Sequence, residues 1–210
     1  MKDFRLYAIT GENFHPGRSL EEVMEQAILG GADIVQFRDK SSGKHELLQK
    51  AKSLRQLTRR YGVPLIVNDH IDLALEVNAD GVHLGQGDVS LTEARHRLGS
   101  KIIGISTHAL QEAVAAQQNG ADYIGVGPIY ATQTKADVVD PVGLDYIREV
   151  SPHVSIPYVA IGGIKLSNVD AVIEAGATRI CAVSEIVGSD DPAAVCRAFL
   201  EKLSLKERRS

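Results

Sequence analysis

Gly31-Ala32-Asp33-Ile34 returns three times in varied form, as Asn78-Ala79-Asp80-Gly81, Gly120-Ala121-Asp122-Tyr123 and Gly176-Ala177-Thr178-Arg179. In each copy Gly or Asn supplies a left-handed residue that ends a helix, and the acid or hydroxyl turns the chain into a strand. The copies begin 42 to 56 residues apart, which leaves room for two strand–helix units between neighbours. Each precedes an even-numbered member of a series of apolar runs: Leu6–Thr10, Ile34–Arg38, Leu65–Asn68, Gly81–Leu84, Ile102–Ser106, Tyr123–Val126, Tyr158–Ile161 and Arg179–Val183.

Helical patterns fill the gaps, at about Leu20–Leu29, Lys44–Tyr61, Asp72–Val77, Leu91–Leu98, Gln111–Asn119, Leu144–Val150, Ser167–Ala175 and Pro192–Leu203. Ser19 with Glu22, and Ser90 with Glu93, have the spacing of a capping box at a helix start. Strict alternation of eight strands and helices predicts a single-domain α/β fold, a (β/α)8 TIM barrel spanning residues 1–210. A doubly wound open sheet is the competing arrangement, since alternation alone does not distinguish a closed sheet from an open one. Residues 204–210, within the basic stretch Lys202–Ser210, read as a frayed, solvated tail.

Composition narrows the function. Among 210 residues, 23 are Lys or Arg and 27 are Asp or Glu, for a net charge of −4, so no overall basic field invites nucleic acid. No run of about 18 apolar residues is long enough for a membrane span, and Met1-Lys2-Asp3-Phe4-Arg5 leads into no secretory segment. Cys181 and Cys196 are too few for a disulfide framework or a zinc site. The cytoplasm is the expected compartment.

In a barrel, chemistry collects where strands end and the following loops begin. Strand two ends in Gln36-Phe37-Arg38-Asp39-Lys40, where alternation points Gln36 and Arg38 into the barrel and Phe37 out of it. A barrel-facing Arg needs an anion or a carboxylate, and Lys40 extends the positive group. Asn68-Asp69-His70 follows strand three, and Gly85-Gln86-Gly87-Asp88 follows strand four. Asp69, Asp88 and the Asn68 amide are hard oxygen donors that suit Mg2+ holding a diphosphate. Ser106, Thr107 and His108 close strand five, and Ser106 shares its inward face with Gly104. His83 also faces inward; it and His108 read as hydrogen-bonded structural residues.

The loop Gly127-Pro128-Ile129-Tyr130-Ala131-Thr132-Gln133-Thr134-Lys135 offers two hydroxyls and an ammonium, a set suited to phosphate. Gly162-Gly163 after strand seven and Ser184 after strand eight stand where barrels often bind a phosphate.

Taken together, Gln36–Lys40, Val67-Asn68-Asp69, Gly81–Gln86 with Asp88, Gly104–His108, Gly127–Lys135 and Ala160–Ile164 resemble the thiamine-phosphate synthase family, in order along nearly the whole chain. The resemblance implies an Mg2+-dependent transferase that joins hydroxymethylpyrimidine diphosphate to hydroxyethylthiazole phosphate, or its carboxylated form, with release of diphosphate. It implies that Arg38, Lys40, Asn68 and Lys135 hold the diphosphate and that Asp69 and Asp88 bind Mg2+. Gln36 and Ser106 would contact the pyrimidine side, and Thr132, Thr134, Gly163, Val183 and Ser184 the thiazole phosphate. Arg38, Lys40, Lys135 and Ser106 are the catalytic candidates, and a homodimer is implied.

Three positions depart from the family pattern: Phe37 in place of Leu, His70 in place of Arg or Asp, and Ala131 in place of Pro. Two other functions compete. A thiazole tautomerase-like relative would use His108 as acid and base, and a regulatory protein would only bind thiamine phosphates. The first leaves Arg38, Lys40, Asn68, Asp69, Asp88 and Lys135 without a task, and the second has no use for the Asp69–Asp88 metal pair.

Overall fold

The computed structural model describes residues 4–132 and 140–207. Strands β1 (Leu6–Ile9), β2 (Ile34–Phe37), β3 (Leu65–Asn68), β4 (Gly81–Leu84), β5 (Ile102–Thr107), β6 (Tyr123–Val126), β7 (Tyr158–Ala160) and β8 (Ile180–Ala182) pair in parallel with their sequence neighbours. β8 returns to β1 through Tyr7 opposite Cys181, which closes the barrel and excludes the open sheet.

Outside the strands lie α1 (Leu20–Leu29), α2 (Lys44–Tyr61), α3 (Ile71–Glu76), α4 (Leu91–Leu98), α5 (Leu110–Gln118), α6 (Gly143–Val150), α7 (Val169–Glu174), α8 (Ser184–Val187) and α9 (Pro192–Glu207). Three helices keep the bounds read from periodicity: α1, α2 and α4. The Ser19–Glu22 capping box is formed, and Ser90 accepts the backbone N–H of Glu93 at 3.2 Å. Among the described residues no helix is long and apolar enough to cross a membrane.

The structure corrects several boundaries. β1, β2 and β7 end one residue early, whereas β5 runs one residue further, to Thr107. α8 is a single turn, too short for periodicity to reveal. The expected tail begins too early: α9 continues to Glu207, Leu203 is buried, and Ser204 Oγ accepts a hydrogen bond from Arg5 at 3.0 Å.

The repeated phrase works at the N-terminal end of the barrel. Gly31, Asn78, Gly120 and Gly176 all have positive φ, the conformation required of them. The acids then reach sideways to the preceding strand. Asp33 accepts the N–H groups of Arg5 and Leu6 at 2.9 and 3.1 Å, Asp80 that of Leu65 at 2.8 Å, and Asp122 that of Ile103 at 2.8 Å. Arg55 and Arg95 neutralise the latter two, at 2.6 and 2.7 Å. Each acid thus satisfies backbone donors at a strand start that lack a ladder partner.

Two apolar layers result. Phe37, Val67, Leu84 and Val126 face the helices, and the lower interior holds Phe4, Tyr7, Ile34, Ile66, Tyr123 and Val159. Phe37 faces outward as its parity predicts. Tyr123 fills the barrel because its partner across β5 and β6 is Gly104, where a Cβ would lie 2.1 Å from the Tyr123 ring.

Candidate active site

A cavity of about 480 Å³ opens at the C-terminal ends of the strands. Arg38, Lys40, Asn68, Asp69, Asp88 and Ser106 line one part of its wall. Thr132, Gly163, Val183 and Ser184 also line it. Ten of the thirteen residues singled out from sequence therefore share one opening. Thr134 and Lys135 lie outside the described residues. Gln36 sits one layer lower, beside a small void of about 20 Å³, and donates from Nε2 to the Tyr7 hydroxyl at 2.9 Å.

The cationic corner is braced from behind. Thr10 Oγ1 accepts the N–H of Arg38 at 2.8 Å and donates to the Arg38 carbonyl at 2.9 Å, which pins the backbone beneath the guanidinium. Arg38 Nε is buried and has no hydrogen-bond partner among the described residues, a cost that an incoming anion would remove. The following loop is wrapped around Asp39, whose carboxylate accepts the N–H groups of Ser41 and Ser42 at 2.9 and 3.0 Å. Lys50 ties Asp39, Glu12 and Ser42 together at 2.8 to 3.1 Å. Burial opposes charge on Asp39, but the hydrogen bonds from Ser42, Ser41 and Lys50 outweigh it and hold the carboxyl below its usual range. Lys40 is left half-exposed at the rim.

The acidic corner is built differently. Asp69 adopts φ of 61°, a left-handed conformation that is strained for a non-glycine residue, by roughly 1–3 kcal/mol. Its N–H donates to the His83 carbonyl at 3.0 Å, and Lys40 Nζ stands 3.3 Å from Oδ2. Asp88 Oδ2 accepts the N–H of Gly85 at 2.7 Å. Burial raises the Asp69 carboxyl above its ordinary range, the neighbouring Asp88 raises it further, and Lys40 only partly offsets them. Two oxygen-donor acids that repel one another fit a divalent cation. No cluster of three or more His, Cys, Asp or Glu residues suited to a metal occurs among the described residues. Such a sparse donor set fits Mg2+, which keeps several waters and shares substrate phosphates, better than it fits a closed zinc site.

The two histidines are oriented by hydrogen bonds. His83 Nδ1 lies 2.9 Å from the Tyr123 hydroxyl and Nε2 2.9 Å from Ser106 Oγ. His108 donates from Nδ1 to the Gly127 carbonyl at 2.6 Å, and its N–H donates to Glu112 at 2.7 Å. Gln86 holds the Ser106 carbonyl at 2.7 Å. Thr10, Gln86 and Tyr123 escaped sequence reasoning, because each acts on a known candidate through contacts set by strand register.

A model of the family described as thiamine monophosphate synthase matches residues 6–186. The chain belongs to that family. The thiamine-phosphate synthase of Halalkalibacterium halodurans is 62% identical over 200 residues, covering 95% of both chains. That of Shouchella clausii is 63% identical over 201 residues, covering 95% of this chain and 96% of the relative. Among solved structures, a thiamine phosphate pyrophosphorylase from Pyrococcus furiosus superposes with a TM-score of 0.87 at 35% identity, covering 96% of each chain. Within this thiamine monophosphate synthase scaffold, the cationic and acidic corners stand at the ends of β2, β3 and β4, and Gly163 and Ser184 follow β7 and β8.

Proposed function

We propose that this protein is a thiamine-phosphate synthase, joining hydroxymethylpyrimidine diphosphate to hydroxyethylthiazole phosphate to give thiamine phosphate and diphosphate, or to its carboxylated form with carbon dioxide as a further product. The observation that carries this reading is the shared cavity. A cation-and-carboxylate corner and a glycine-and-hydroxyl corner open into the same space, as a reaction between two phosphorylated substrates requires.

Arg38, Lys40, Asn68 and Lys135 hold the diphosphate, and Asp69 and Asp88 hold Mg2+. When bound, the metal neutralises charge that builds on the leaving diphosphate. Arg38 and Lys40 add fixed positive charge at the same place, which is worth most as the carbon–oxygen bond breaks. That bond's electron pair leaves with the diphosphate, and the pyrimidine amino group stabilises the cation left on the methylene carbon. The thiazole nitrogen then supplies the pair for the new carbon–nitrogen bond. No side-chain nucleophile takes part. The chain's task is to align the two rings and keep water from the cation.

Gly163, Thr132, Thr134, Val183 and Ser184 hold the thiazole phosphate through backbone N–H groups and hydroxyls. Gln36 and Ser106 serve the pyrimidine side, Ser106 at the wall and Gln36 from beneath it. The proposed compartment is the cytoplasm and the proposed assembly a homodimer. Purified protein supplied with both substrates and Mg2+ is expected to form thiamine phosphate and diphosphate in equal amounts, and EDTA to stop the reaction. Folded protein that forms no product beside an active control enzyme would refute the reading. Undiminished turnover in EDTA would remove the metal from it.

A further inference from the structure

Five polar side chains form an unbroken chain beneath the cavity. Gln36 Nε2 donates to Tyr7 Oη at 2.9 Å, and Tyr7 Oη lies 2.9 Å from Tyr123 Oη. Tyr123 Oη lies 2.9 Å from His83 Nδ1, and His83 Nε2 lies 2.9 Å from Ser106 Oγ. One glycine makes room for the path: a Cβ at Gly104 would stand 2.4 Å from Tyr123 Oη.

The direction of the chain follows from satisfying its protons. Burial raises both phenol pKa values, and for Tyr123 the neighbouring Tyr7 adds to the effect, so each carries a proton to place. A buried hydroxyl without an acceptor is costly. Tyr7 already accepts from Gln36, so its proton goes to Tyr123, and the Tyr123 proton goes to His83 Nδ1. His83 then carries its own proton on Nε2 and donates it to Ser106. Ser106 Oγ, which lines the cavity, is left with a hydroxyl proton to give.

We propose that Gln36, Tyr7, Tyr123 and His83 act as positioning residues, a one-way hydrogen-bond chain that commits Ser106 to donate to an acceptor atom of the pyrimidine diphosphate. The inference rests on the proposed reaction only for the identity of that substrate. The chain itself exists without it. Reversing the direction would turn Ser106 into an acceptor and leave the substrate's lone pair facing another lone pair.

The test combines spectroscopy with kinetics on the full chain. In protein labelled with 15N-histidine, the His83 signal, assigned by its loss in His83→Asn, is expected to report the neutral Nε2–H tautomer before any substrate is added. An Nδ1–H or doubly protonated ring overturns the proposal whatever the turnover. Tyr123→Phe and Tyr7→Phe each break the chain while keeping the ring. Each is expected to lower kcat about tenfold, the size of one lost strong hydrogen bond, with the KM for the thiazole substrate unchanged. Because the chain acts through Ser106, Ser106→Ala should cost much less in the Tyr123→Phe background than in the wild type. Full additivity, or wild-type kcat in both folded Phe variants, overturns the proposal. A wild type with the Nε2–H tautomer but no thiamine phosphate counts for the chain and against the proposed reaction.

Discussion

Asp122 and Asp69 belong to opposite ends of one barrel, and their surroundings differ in kind. At the N-terminal end, Asp122 receives the Ile103 N–H and a guanidinium within 2.8 Å, and Asp80 receives the Leu65 N–H and Arg55. Asp33 is held above its usual range by burial, although backbone N–H groups and Arg5 pull against that rise. At the C-terminal end, Asp69 is raised by burial and then raised further by Asp88. It also occupies a strained backbone conformation. The lower acids are met by backbone N–H groups and guanidiniums of the chain, whereas Asp69 has one half-exposed cation, Lys40, set against a repelling neighbour, Asp88. A strained carboxylate facing a second acid marks where the molecule spends stability on chemistry.

Breaking the upper end should therefore affect turnover far more than melting. Asp88→Ala and Lys135→Ala are each expected to lower kcat by orders of magnitude, on the order of 10²–10³ for one lost charge-stabilising group, with far-ultraviolet circular dichroism and Tm near wild type. Wild-type rates in both would sink the diphosphate assignment. Midway between the ends, Gly104→Ala drives a methyl group into Tyr123. It should cost about 3 kcal/mol in urea unfolding, as overpacking of a filled core does. No measurable loss would mean that Tyr123 can move aside.

Breaking the lower end should do the reverse. Asp122→Ala leaves Arg95 and the Ile103 N–H short of a partner, and about 2 kcal/mol of stability should go with it. Its kcat, measured below the unfolding transition, should match wild type.

The smallest effect concerns the brace behind Arg38. The Asp39 carboxyl is depressed in the fold, so its stabilising contribution is fully present above the unfolded value of about 4 and is lost as pH falls through the folded value. The stability gap between wild type and Asp39→Asn should be about 1 kcal/mol smaller at pH 3 than at pH 7. A gap that widens on acidification would mean that the charge of Asp39 does not hold this loop.

The difference between the two ends also explains what the sequence made legible. The four variants of the Gly-Ala-Asp phrase marked strand starts because the task is local: a left-handed residue, then, in three of the four, an acid beside a strand start. The rim residues were legible because strand ends collect chemistry and strand parity says which side chains turn inward. Ten of them line a single cavity. The interior chain was not legible. Tyr7 and Tyr123 alternate as any core aromatic does, and their meeting depends on Gly104 standing across from Tyr123, a matter of register between strands. Gln36 points inward as parity requires, yet it stops at Tyr7 below the cavity wall, since side-chain parity carries no information about depth.

The most direct measurement compares the two ends in one experiment. Wild type, Asp88→Ala and Asp122→Ala are each given both phosphorylated substrates and Mg2+, and thiamine phosphate formation and Tm are recorded on the same samples. Asp88→Ala is expected to keep its Tm and lose turnover, while Asp122→Ala is expected to keep its turnover and lose Tm. Turnover surviving in Asp88→Ala and failing in folded Asp122→Ala would contradict this expectation.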